Sequence, residues 1–208
     1  AARELLDLPR ERRVVALLPG SRQSEVRNLA DTYIATAKRM VERDPGLCFL
    51  VPLATRETRA IFEEALHRNE ALELPIRMLF GHAVEAMTAS DVVLVASGTA
   101  SLEAALVKRP MVITYRIGKW QYRLMTRMAY LPWVGLPNIL CNEGLVPELL
   151  QEEATPENLA AALDAWLNDA DRRAALEARF TELHLTLRQN TAERAAAAIL
   201  PYLRQGVA

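Results

Sequence analysis

A Rossmann-like α/β fold, with a parallel sheet and helices on both of its faces, is what this 208-residue sequence predicts. Three observations lead there. Short apolar runs rich in β-branched residues alternate with longer amphipathic runs, the order that builds parallel strands joined by right-handed crossovers. Two strand-to-helix turns, Pro19-Gly20-Ser21-Arg22 and Ser97-Gly98-Thr99, face the same way, so both fall at the carboxyl ends of strands, where such sheets bind ligands. With 51% hydrophobic and 25% charged residues, the chain can bury one sizeable core, with room for an appendage.

Residues 1–12 read as a charged linker or a first short helix, 13–188 as the Rossmann-like domain, and 189–208 as a C-terminal helix. Val14 to Leu18 is the first strand. A long amphipathic pattern from Gln23 to Arg43 follows, with Ser21 placed to cap it and Arg22 placed to meet an anion by forked hydrogen bonds. Leu47 to Val51 is the next strand, Thr55 to Asn69 a helix, Ile76 to Phe80 a strand, and 82–90 a short helix. The central strand ends in Val92-Val93-Leu94-Val95-Ala96, and the helix after its turn ends near Val107. Met111 to Tyr115 continues the alternation. Gly135 to Leu140 reads as a loop entering one more strand. Thr155-Pro156-Glu157 is a helix start with a capping Thr, Pro at the first helical position and an acid in the first turn. From there to Leu203 the chain reads as Ala- and Leu-rich helical scaffold.

The turn at Ser97-Gly98-Thr99-Ala100 would set free backbone N–H groups and the positive end of a helix dipole beside a crevice, a seat for phosphate. Glu103 follows about one helical turn later, where a carboxylate can accept from two ribose hydroxyls. The plainer alternative is that Ser97 or Thr99 caps the helix and Glu103 is a solvated acid. Asn138 offers both a donor and an acceptor, to a ligand or to its own loop.

Charge is segregated. From Ala104 to Asn142 there is no carboxylate and there are six cations, leaving 19 basic against 26 acidic residues elsewhere. Arg116, Lys119, Trp120, Tyr122, Arg123, Arg127 and Trp133 interleave cations with amphipathic rings, which suits an anionic membrane surface. A solvated basic helix is the plainer reading. Nucleic acid ranks last, because no stacking or groove-reading module accompanies the charge. No apolar run approaches the roughly 18 residues of a membrane span. Cys48 and Cys141 lie far apart without metal-ligand spacing, so reduced thiols, a cytosolic setting and no metal site are expected. The start at Ala1-Ala2-Arg3-Glu4, with no Met and no signal peptide, suggests part of a longer protein.

Six segments in order and at consistent spacing resemble the lipid-A-disaccharide synthase family. They are Leu18 to Arg22, Ala96 to Glu103, Pro110 to Arg116, Leu136 to Leu140, Leu145 to Gln151, and Thr155 to Leu159. The resemblance covers nearly all of this chain and about the carboxyl-terminal half of a family member. It implies a GT-B type glycosyltransferase of two Rossmann-like domains that uses no metal or cofactor. Such enzymes transfer 2,3-diacylglucosamine from UDP-2,3-diacylglucosamine to 2,3-diacylglucosamine 1-phosphate at the cytoplasmic face of the Gram-negative inner membrane. By this resemblance Gly20, Ser21 and Arg22 would face the diphosphate, Ser97, Gly98, Thr99 and Ala100 would line its loop, Glu103 would hold ribose, and Asn138 would lie at the donor site. A general base is expected outside this chain, and homodimerisation stays open. Two other functions remain: another UDP-sugar enzyme, such as an epimerase or soluble glycosyltransferase, and a non-enzymatic membrane-binding module.

Overall fold

Val14–Leu18 (β1), Cys48–Leu53 (β2) and Val92–Ala96 (β4) are buried at every position, as strands covered by helices on both faces must be. The structure, a computed structural model, describes residues 2–118 and 132–205, with side chains through residue 202. With Ile76–Phe80 (β3), Met111–Tyr115 (β5) and Glu148–Leu150 (β6), these strands form one sheet in the order β3-β2-β1-β4-β5-β6, and every pairing is parallel. That is the doubly wound order, in which the direction of winding reverses between β1 and β4. The predicted fold class is the one observed.

Helices supply the outer layers. Ala2–Leu5 is α1, Gln23–Arg43 α2, Arg56–Arg68 α3, Ala83–Ala89 α4, Thr99–Leu106 α5 and Leu136–Cys141 α6. Pro156–Asn168 (α7), Ala170–Leu187 (α8) and Thr191–Gln205 (α9) follow. On one face α2 packs between α3 and α7, burying Tyr33, Ile34, Met40, Phe62 and Trp166. On the other, α5 packs against α4, α6 and α8. The Thr155 hydroxyl caps α7 by accepting from Asn158 N at 3.2 Å, as its Thr-Pro-Glu start predicts. Every described side chain from Thr191 to Tyr202 of α9 is exposed.

Two expectations are corrected. Residues 135–140 are not a loop: Gly135 precedes α6, with Pro137 in its first turn, and β6 comes only after a further connection. Nor does Ser21 cap α2. Arg22 is the N-cap residue, and the Glu25 side chain reaches back to accept from Ser21 N and Arg22 N. In addition, β2 runs through Pro52 to Leu53, paired with Leu79 and Phe80 of β3.

The amino-terminal segment is clamped to the sheet rather than trailing from it. The Arg3 guanidinium donates to both Asp91 oxygens at 3.0 Å and to the carbonyls of Ala89, Arg10 and Arg12. Asp91 Oδ2 in turn accepts from Val14 N at 2.8 Å. A bidentate pair therefore ties the amino ends of β1 and β4, at the edge of the sheet opposite the two glycine turns.

Candidate functional site

The winding reversal between β1 and β4 leaves a crevice at their carboxyl ends, because one crossover departs to each side. Chain order puts the Gly20 and Gly98 turns there. Between them lies a cleft of about 480 Å³, a size that suits a small ligand. Gly20, Ser21 and Arg22 line one wall, and Ser97, Gly98, Thr99, Ala100 and Glu103 line the other.

The second wall is open to a ligand. Gly98 has φ 155° and ψ −162°, a conformation essentially restricted to glycine, although an added Cβ would meet nothing within 4 Å. Backbone conformation, not crowding, is what calls for glycine here. No side chain caps α5, and Ser101 Oγ turns inward to Gly98 O at 2.7 Å. The Thr99 and Ala100 amides have no acceptor among the described residues. Glu103 is exposed, and it has no hydrogen-bond or ion-pair partner among the described residues. Ser97 is less available, since its Oγ donates to Val134 O at 3.2 Å.

The first wall is already engaged. Glu25 Oε2 accepts from Ser21 N at 3.0 Å and Arg22 N at 3.2 Å, holding the turn that leads into α2. Arg22 itself is 82% exposed, with Nη1 3.7 Å from Glu25 Oε1. Behind this wall, buried Tyr33 points its hydroxyl at Leu18 O, 3.4 Å away, and burial pushes its phenol well above the usual tyrosine range.

Asn138, expected at the donor site, is not among the residues that line the cleft. It is fully buried, with Nδ2 donating to Val146 O at 2.9 Å and Glu148 Oε1 at 2.8 Å, and Oδ1 accepting from Val146 N at 3.0 Å. Its amide is spent on scaffold. Glu148 also accepts from Val134 N at 2.8 Å and Gly135 N at 3.0 Å, so it holds the strip of backbone that leads into α6 and receives Ser97.

Cleft residues that sequence reasoning missed include Glu25 and Tyr115. Glu25 carried a signal, an acid three residues after the N-cap, but Arg22 is not a capping type and conceals the box. Of the basic aromatic stretch, Lys119, Trp120, Tyr122, Arg123 and Arg127 lie outside the described residues. Arg116 is exposed and donates to Thr32 Oγ1 at 3.2 Å, while Trp133 is half-buried. Among the described residues no helix is long and apolar enough to cross a membrane, and no cluster of three or more His, Cys, Asp or Glu could hold a metal. Cys48 and Cys141 are free thiols, and burial raises the pKa of both.

Solved structures with this architecture include WaaG, a glycosyltransferase involved in lipopolysaccharide biosynthesis, at 18% identity and TM-score 0.60 over 95% of this chain and 49% of that one. Another is a putative UDP-N-acetylglucosamine 2-epimerase from Listeria monocytogenes, at 12% identity and TM-score 0.55 over 81% and 40%. These likenesses speak to the fold alone. Sequence relatives are far nearer. The lipid-A-disaccharide synthase of Aromatoleum aromaticum is 76% identical over 99% of this chain and 52% of its own length. That of Azoarcus sp. is 72% identical over 98% and 52%. The chain thus spans about half the length of the curated relatives it matches. The lipid-A-disaccharide synthetase family model matches residues 1–200, and the chain belongs to that family.

Proposed function

We propose that this chain is the donor-nucleotide half of a lipid-A-disaccharide synthase, and that its cleft seats the UDP of UDP-2,3-diacylglucosamine. One observation carries the assignment: two helix-opening amides and, a turn further on, a carboxylate, none with a partner among the described residues, share a single wall of the cleft. The amides suit the diphosphate and Glu103 suits the ribose diol. Transfer of the sugar to 2,3-diacylglucosamine 1-phosphate leaves negative charge on departing UDP. The Thr99 and Ala100 amides, the α5 dipole and the Arg22 guanidinium would meet that charge as it develops. The base that takes the acceptor hydroxyl's proton must approach the opposite face of the sugar, and we assign it to the part of the longer protein that precedes this chain.

Titration of UDP, with ADP as control, into this chain and its Glu103→Gln variant tests the site. Saturable binding selective for UDP is expected, weakened about tenfold by the variant, since a charge-assisted hydrogen bond is worth about 1.5–3 kcal/mol. Equal binding of UDP and ADP, or no effect of the variant, would remove the assignment of Glu103.

The acylated substrates also give the basic stretch a role at the cytoplasmic face of the inner membrane, where Arg116 to Trp133 would meet anionic headgroups. Flotation with vesicles should show binding to anionic lipid that falls as salt rises. Equal binding to neutral vesicles would discard the electrostatic part.

A further inference from the structure

We propose that Glu25 is a positioning residue for this site. It occupies the Ser21 and Arg22 amides, the two that precede α2 and line the cleft, so these amides are not a second phosphate seat and the Gly20 turn is a fixed mount for Arg22. The diphosphate is then left to the Gly98 turn. This inference rests on the nucleotide assignment above and adds to it a division of labour between the two walls.

The turn is built around the Glu25 side chain. One oxygen, Oε2, accepts from two successive amides, Ser21 N and Arg22 N, while the other faces the Arg22 guanidinium at 3.7 Å. Gly20 packs so closely on this side chain that an added Cβ would lie 2.4 Å from Oε2 and 2.5 Å from Glu25 Cβ. At φ 117°, Gly20 also adopts a backbone conformation that other residues avoid. A phosphate seeking these amides would have to displace two charge-assisted hydrogen bonds and would then sit beside a like charge. The Thr99 and Ala100 amides, in residues of the opposite wall, have no acceptor among the described residues to displace. Fixing residues 20–22 leaves Arg22 anchored at its backbone and 82% exposed along its side chain, free to swing onto an anion held opposite.

UDP is titrated into the wild-type chain, Glu25→Ala, Glu25→Gln, Arg22→Ala and the Glu25→Ala/Arg22→Ala double variant. Glu25→Ala should weaken binding about fivefold to tenfold, and Glu25→Gln, whose carbonyl can still accept, should recover most of that loss. In the Arg22→Ala background, Glu25→Ala should cost less than about twofold more, because a mount matters only through what it carries. Tighter binding of UDP or inorganic phosphate by Glu25→Ala would overturn the proposal, since the amides would then be a phosphate seat that Glu25 blocks. So would an undiminished loss in the Arg22→Ala background. Should Glu25→Ala fail to fold, amide resonances of the wild-type chain decide. Saturating UDP should shift Thr99 and Ala100 and leave Ser21 and Arg22 nearly in place, and the reverse pattern overturns the proposal. Failure of the wild-type chain to bind UDP would instead sink the nucleotide assignment and the positioning role with it.

Discussion

The two glycine turns that flank the centre of the sheet occupy equivalent places, each between a buried strand and the helix it feeds, yet differ in what fills them. At Gly20 the chain supplies its own anion, Glu25, to the Ser21 and Arg22 amides that precede α2. At Gly98 no side chain caps the helix and two amides have no acceptor, among the described residues. Glycine itself has a different cause in each: close approach of Glu25 together with positive φ in the first, and backbone conformation alone in the second. Both turns line the same cleft, so burial does not separate them; what differs is that Glu25 reaches back to the Ser21 and Arg22 amides. The contrast teaches that a glycine turn after a strand identifies a location, and that the side chain three residues into the helix decides whether it is a seat.

The largest effect should come from the support behind the open turn. Asn138→Ala deletes an amide that satisfies both buried backbone groups of Val146 and one oxygen of half-buried Glu148. Leaving such groups unpaired costs about 1–3 kcal/mol each, so urea unfolding should show a loss of about 3 kcal/mol with an unchanged slope. Because Glu148 also carries Val134, which receives Ser97, UDP binding should weaken as well. A variant as stable as wild type would mean that the network does not brace the open wall.

Gly98→Ala tests the open turn itself. The new methyl meets no atom within 4 Å, so any loss reports backbone strain. Strain of about 1–3 kcal/mol, relieved by moving the turn, should weaken UDP binding tenfold or more while the core stays intact. Calorimetry beside a thermal melt separates the two. Unchanged affinity would show that the amides at this turn are not where the ligand is held.

How much of this contrast could be read beforehand follows from the range of the interactions involved. β1, α2, β3 and β5 begin and end where the sequence expects them, because short, mainly apolar runs and a 21-residue amphipathic repeat are local signals. The location of the cleft was equally legible, since strand-helix alternation alone puts both turns on one edge. What escaped is long-range. The six-residue α6 is too short for periodicity, and the two amides that precede it, Val134 N and Gly135 N, are held by Glu148 more than ten residues downstream. Arg3 reaches Asp91 across 88 positions. Asn138 belongs to the same class: its neighbours along the chain gave no sign of the partners that occupy its amide.

The smallest effect is expected behind the closed turn, where Tyr33 meets Leu18 O at 3.4 Å. That is long for a hydroxyl donor, so Tyr33→Phe should cost less than about 1 kcal/mol at neutral pH. Because Glu25 and not Tyr33 holds the Gly20 turn, UDP affinity should change by less than about twofold. Alkaline pH magnifies the difference. Burial keeps the phenol protonated in the folded chain, whereas in the unfolded chain it ionises near 10.0. Above that pH the unfolded state binds fewer protons than the folded one, so stability falls as pH rises. Tyr33→Phe removes this one contribution, and the gap between the two proteins should close and then reverse above about pH 10 as unfolding is followed by denaturant. A gap that stays constant across that range would mean that the hydroxyl ionises as readily in the folded chain as out of it, and that the wall behind Gly20 is wetter than its burial indicates.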